Sequence, residues 1–265
     1  MFDWWWAYLA LGAFVGFFAG LLGIGGGAAT VPVLAFIFAA KGFAPDHVVH
    51  LALGTALATM LFTSISSVLA HHKHGAVNWS IFRRMVAGIA VGTFAGALLA
   101  GVLNLRLLTM VFTALIYFLS AQMLFGRKPQ PGATLSTTAG MNAAAAGIGV
   151  ISSLTATGGA ALVVSYLVKH GTRVQEAIGT AAAIGWPLAI AGTAGYALTG
   201  VGQQGLPDYS LGYVYLPALA GVVISSVLLA PVGARLAHRT PGTVLKKIFA
   251  VVLFLLATKM LVSFF

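Results

Sequence analysis

Three consecutive glycines, Gly25-Gly26-Gly27, interrupt an apolar run near the start of the chain and lead into Ala28. A second interruption, Gly158-Gly159, follows Thr155 and Thr157 in the other half. The runs Gly26-Gly27-Ala28-Ala29 and Gly158-Gly159-Ala160-Ala161 match residue for residue. Each glycine costs a helix interior about 0.8–1 kcal/mol relative to alanine, so both runs predict a helix break. Where a helix restarts after a break, free N–H groups and the positive end of the dipole make a site for an anion. Hydroxyls cluster at the same places: Ser152, Ser153, Thr155 and Thr157, and the threonines of two Gly-Thr pairs, Thr55 and Thr180. The candidate binding residues are therefore Gly25, Gly26, Gly27, Ala28, Thr55, Thr155, Thr157, Gly158, Gly159 and Thr180, with Trp186 beside Pro187 as a wall. A plainer role stands beside each. Small residues let membrane helices approach, a Ser or Thr in a helix bonds its own i−4 carbonyl, and a tryptophan packs.

The elements that must position these residues are membrane helices. Of 265 residues, 60% are hydrophobic and 7% charged, against about 25% charged in a soluble domain. The net charge of +10, from 14 Lys and Arg against 4 Asp and Glu, sits in short loops. There it orients the chain and meets anionic head groups rather than nucleic acid. No cysteine is present, which excludes thiolate chemistry. His71, His72 and His74 surround Lys73 without a carboxylate nearby and read as a solvated loop, so no metal and no cofactor is expected. Glu176 reads as the partner of Arg173. No nucleophile–base pair lies inside an apolar segment, which argues against an intramembrane enzyme.

Eight apolar segments run over 7–40, 48–70, 85–103, 107–125, 139–168, 177–199, 211–230 and 245–265. Most suit the ~20 residues of a spanning helix. The first would make a helix of about 51 Å against a hydrocarbon core of ~30 Å, and the fifth is also too long. A helix–break–helix that returns to its side of entry fits both. If all eight segments cross once, the Lys and Arg residues divide 8 to 6 between the faces; if the first and fifth return, they divide 11 to 3. The positive-inside rule prefers the second arrangement, which puts both termini outside. The halves echo each other again in Ala52-Leu53-Gly54-Thr55-Ala56 and Ala177-Ile178-Gly179-Thr180-Ala181, and in Ala87-Gly88 and Ala220-Gly221. The expected fold is an all-α polytopic membrane protein of two inverted repeats. Residues 1–126 and 137–265 form the repeats, each a Gly-tipped re-entrant hairpin plus three transmembrane helices, and 127–136 form a cytoplasmic linker.

The glycine series Gly16, Gly20, Gly23 and Gly25 to Gly27, the following Val31-Pro32, the Gly-Thr pair on the next segment and the repeated motif of the second half resemble the sulfite exporter TauE/SafE family, also called the toluenesulfonate uptake permeases. The resemblance covers essentially the whole chain. It implies a secondary transporter, mostly exporting, of small sulfur-containing anions such as sulfite, sulfonates or sulfoacetate across the bacterial inner membrane. An anion channel and a transporter of small carboxylates stay open as alternatives, with an intramembrane enzyme behind them. The partners implied are a small anion and the lipid bilayer, with a homodimer left open.

Overall fold

The computed structural model describes residues 4–22, 27–125, 137–237 and 242–264. Among the described residues, ten helices and one short ribbon follow in order: α1 Trp5–Leu22, α2 Gly27–Ala40, α3 Pro45–Lys73, α4 Trp79–Val102, α5 Leu105–Phe125, α6 Thr138–Thr155, α7 Ala160–Lys169, α8 Val174–Gly200, β1 Ser210–Leu211, β2 Val214–Tyr215, α9 Leu216–Ala237 and α10 Gly242–Phe264. Local signals set several starts. Pro45 opens α3, where its missing N–H has no partner to lose. Asn78 caps α4 by accepting the Ile81 N–H, and Thr137 caps α6 through Gly140.

Among the described residues, α3, α4, α5, α8 and α10 each hold a stretch long and apolar enough to span a membrane. The second long segment is broken where its glycines predict, α6 from α7 across 156–159; in the first, α1 ends at Leu22 and α2 starts at Gly27, and residues 23–26 lie outside the described residues. Each pair returns. The Lys41 Nζ after α2 lies 5.8 Å from the ring of Tyr8 near the start of α1. In the second pair, Asn142 near the start of α6 accepts the Gly88 N–H of α4. The cap of that same α4, Asn78, bonds Thr180 at the start of α8, just beyond α7. The ribbon Ser210–Leu211 with Val214–Tyr215 was not foreseen; it occupies the expected start of the seventh segment and delays α9 to Leu216.

The core is the α3–α8 pair. Residues Val48–Met60 of α3 are buried without a gap, whereas α10 turns Phe254, Leu255 and Val262 outward, as lipid contact requires. Leu57 meets Gly192 and Ser64 meets Gly185, so α3 and α8 run antiparallel. Around them α1 packs along α9, α6 along α4 and α5 along α10. Glycine makes the first two contacts close. A Cβ on Gly12 or Gly16 would come within 2.3 Å of a backbone oxygen of α9, and one on Gly88 or Gly92 within 2.1 Å of one on α6. Gly92 and Gly96 are therefore packing glycines, and so is Gly16.

Candidate functional site

The two breaks meet. Gly25 and Gly26 lie outside the described residues, but Gly27 opens α2 and is buried. A Cβ there would fall 2.0 Å from the carbonyl oxygen of Ala156 and 3.0 Å from Met60 Sδ of α3. Only glycine permits this approach of one helix start to the other break.

The second break reverses through left-handed backbone at Ala156 (φ 48°), Gly158 (φ 69°) and Gly159 (φ 66°). Glycine takes that conformation freely, while Ala156 is held there at a cost of about 1–2 kcal/mol. Of the carbonyls at the end of α6, that of Ser153 finds its partner from the tertiary structure, while the Thr155 hydroxyl bonds back within its own helix. The wholly buried Tyr196 of α8 donates its hydroxyl to the Ser153 carbonyl at 3.1 Å. Thr155 Oγ1 donates to the Ile151 carbonyl at 2.9 Å and lies 3.0 Å from Thr157 Oγ1. Ser152 differs. Its hydroxyl is buried with no partner and lies 3.1 Å from where a Cβ of Gly159, the N-cap of α7, would stand.

Between the tips is a cavity of about 20 Å³, lined by Ala28, Thr157 and Ala161 together with Leu119 and Met123 of α5 and Phe249 and Leu253 of α10. That volume holds about one water. The arrangement places the starts of α2 and α7 beside one small, mostly apolar space, with Thr157 on one wall, midway along the α3–α8 pair. Gly27 faces Met60 of α3, and Gly185 of α8 faces the Gly158 carbonyl.

The profile of the family described as sulfite exporter TauE/SafE matches residues 8–260. The chain belongs to the TauE/SafE family. A "Probable membrane transporter protein" of Haemophilus influenzae is 34% identical over 254 residues, covering 95% of this chain and 96% of its own. "Probable membrane transporter protein YdhB" of Bacillus subtilis is 29% identical over 240 residues, covering 88% and 90%. No solved structure matches. This TauE/SafE protein is a multi-pass membrane transporter.

Not every candidate of this TauE/SafE chain joins the tips. Gly27, Ala28, Thr155, Thr157, Gly158 and Gly159 do. Thr55 and Thr180 are buried elsewhere along the central pair, each holding a backbone N–H: Thr55 Oγ1 accepts from Tyr215 and Thr180 Oγ1 from Asn78, both at 3.0 Å. Trp186 follows Gly185 but is 44% exposed, outside the buried cluster. Glu176 is not held as expected. In place of Arg173, its carboxylate accepts from the Asn78 side-chain amide, because that amide is fixed beside it by the α4 cap. Asn78, Tyr196 and Met60 were missed as contributors. Asn78 ahead of Trp79-Ser80 carries a readable N-cap signal; Tyr196 and Met60 carry none, since their roles depend on helices that meet only in the fold.

Proposed function

We propose that this transporter carries small oxyanions of the sulfite and sulfonate class, as an exporter in the bacterial inner membrane, binding them between the two tips. The observation that carries the reading is the Gly27–Ala156 contact, which sets two helix starts beside one buried space at mid-height of the molecule. No Lys or Arg of the described residues lines that space. The binding free energy would then come from dipoles worth about 0.3–1 kcal/mol each, up to ~2 when partly buried. Hydroxyl bonds of about 0.5–1.5 kcal/mol add to this. Such loose binding suits release. A sulfite or sulfonate head offers three oxygens to two helix starts and Thr157 together. Because the space holds about one water, the tips must part to admit cargo, which favours alternating access over a standing channel.

The same reading makes residues 1–126 and 137–265 inverted repeats joined by a cytoplasmic linker at 127–136, with both termini periplasmic. The exchange of partners supports it: α1 packs on α9 as α6 packs on α4. Purified protein in vesicles should take up sulfite or a short sulfonate saturably, with the ligand heat following the anion whatever the counter-ion. Gly27→Val and Gly159→Val should abolish flux when compared with the parent at matched amounts of folded protein in the membrane. Single cysteines at 41 and 169 should react from opposite faces. Binding that follows the cation, or wild-type flux from either valine variant, would remove the paired-tip site.

A further inference from the structure

The Gly-Thr pairs form the same joint twice, at opposite ends of the α3–α8 pair. On α3, a Cβ at Gly54 would lie 2.3 Å from the Tyr213 carbonyl oxygen, and the neighbouring Thr55 hydroxyl accepts the Tyr215 N–H at 3.0 Å. On α8, a Cβ at Gly179 would lie 2.3 Å from the Ala76 carbonyl oxygen, and the Thr180 hydroxyl accepts the Asn78 N–H at 3.0 Å. Tyr213 and Tyr215 stand three and one residues before α9; Ala76 and Asn78 stand three and one residues before α4. In both joints glycine makes room for a carbonyl, and threonine holds the last N–H before a helix. Each joint ties a central helix from one half of the chain to a helix entry in the other half.

Their placement brackets the tips. The antiparallel register of Leu57 with Gly192 and Ser64 with Gly185 puts Thr180 level with Leu69. Thr55 and Leu69 are 14 positions apart in α3, about 21 Å along a helix. Met60, against Gly27, and Ser64, level with the Gly158 carbonyl, fall between them. Both joints are made here, and the space between the tips holds about one water. Neither joint contains an ion pair: each is one neutral hydrogen bond beside a bare glycine surface, which water can replace without stranding a buried charge.

We propose that Gly54-Thr55 and Gly179-Thr180 are the two gates of the transport cycle, one on each side of the tips, and that access to either face opens when its own joint parts while the other holds. The proposal rests on the alternating-access reading above, but it does not depend on the identity of the cargo. It also gives the two threonines a positioning role in place of contact with the anion.

The test uses the natural absence of cysteine. Ala28→Cys, which lines the space between the tips, reports accessibility to a membrane-impermeant thiol reagent added to either side of oriented vesicles. Thr55→Val keeps the side-chain shape and removes the acceptor. It should raise the labelling rate from the face bearing Lys41 by roughly two- to twelve-fold, the population shift expected from one lost hydrogen bond, and leave the opposite face unchanged. Thr180→Val should do the reverse, from the face bearing Lys169. Thr55→Ser and Thr180→Ser should restore the parent rates. Should a valine variant fail to reach the membrane, the alanine variant at the same position takes its place. Equal increases from both faces would mean general loosening, and unchanged labelling of folded variants would mean static scaffolding; either overturns the gates. Since labelling needs no substrate, a failure of sulfite transport leaves this result standing. Sulfite transport without sided labelling removes only the gates.

Discussion

The two ends of the α3–α8 pair share a joint and differ in what surrounds it. At the Thr55 end the chain between α8 and α9 folds back onto the joint. Tyr213 donates its N–H to the Tyr196 carbonyl at 3.1 Å and stacks its ring on His50, with centroids 4.9 Å apart. His50 in turn presents Nε2 to the carbonyls of Ala100 and Leu103, at 3.0 and 3.1 Å, closing the end of α4. Outside them Lys41 lies among the rings of Tyr8, Phe43 and Tyr215. At the Thr180 end the connection from α3 to α4 is short, and Asn78 acts nearly alone. It bonds Thr180 through its N–H, Ile81 through its side-chain oxygen and Glu176 through its amide. Beside it opens a cavity of about 640 Å³, whose wall includes His74, Trp79, Arg173, Gln175 and Glu176. One joint is thus sealed by packed rings and the other borders an open, polar hollow. The same backbone device is backed by packed rings at one end and by an open polar hollow at the other.

The largest test of that contrast adds one methyl group. Gly54→Ala and Gly179→Ala each put a Cβ at the same 2.3 Å from a carbonyl oxygen, and overpacking of this kind costs about 1–3 kcal/mol. Gly54→Ala should fall at the upper end, since Tyr213 is fixed by Tyr196 and His50. Gly179→Ala should fall at the lower end, since Ala76 belongs to a loop beside open space. Thermal melting in detergent measures both; a more damaging Gly179→Ala would reverse the assignment of the stiff end.

A smaller difference is expected one turn away. His50→Phe keeps a ring against Tyr213 but leaves the Ala100 and Leu103 carbonyls without the Nε2 donor, at about 1–3 kcal/mol for a buried orphan. Gln175 occupies the matching position before the second Gly-Thr pair and is exposed, so Gln175→Ala should stay within about 0.5 kcal/mol. Equal melting shifts would show that His50 does not stiffen its end. Asn78→Ala should fall between these two, since it loses a cap worth about 0.5–2 kcal/mol. Water from the neighbouring hollow can take over its amide bond to Glu176. A loss larger than that of His50→Phe would show that the hollow does not substitute for the side chain.

Much of the fold was legible from composition and spacing. Apolar runs gave the helices, the lengths of 7–40 and 139–168 gave the two hairpins, and Gly27 and Gly159 marked their tips. The candidate site was legible in part, because a break advertises itself through glycine whether or not its partner is known. The Gly-Thr pairs were read as anion contacts, and in the structure each threonine hydroxyl accepts a backbone N–H. Their recurrence showed that something repeats, but a threonine hydroxyl reads the same in sequence whether it meets an anion or the N–H of Tyr215. Trp186 looked like a wall because it adjoins Pro187, and only the fold shows it 44% exposed.

What the sequence alone determined is therefore what depends on neighbours along the chain: which stretches are apolar, where a helix cannot continue, and which patterns occur twice. The tertiary structure decided which break meets which. It put Gly27 on the Ala156 carbonyl, gave Tyr196 to the carbonyl freed at Ser153, and paired Thr55 with Tyr215 and Thr180 with Asn78. Those contacts join residues dozens to more than a hundred positions apart. They arise because lipid offers no hydrogen bonds, so every backbone group released by a break must be satisfied by whichever helix packing brings within reach.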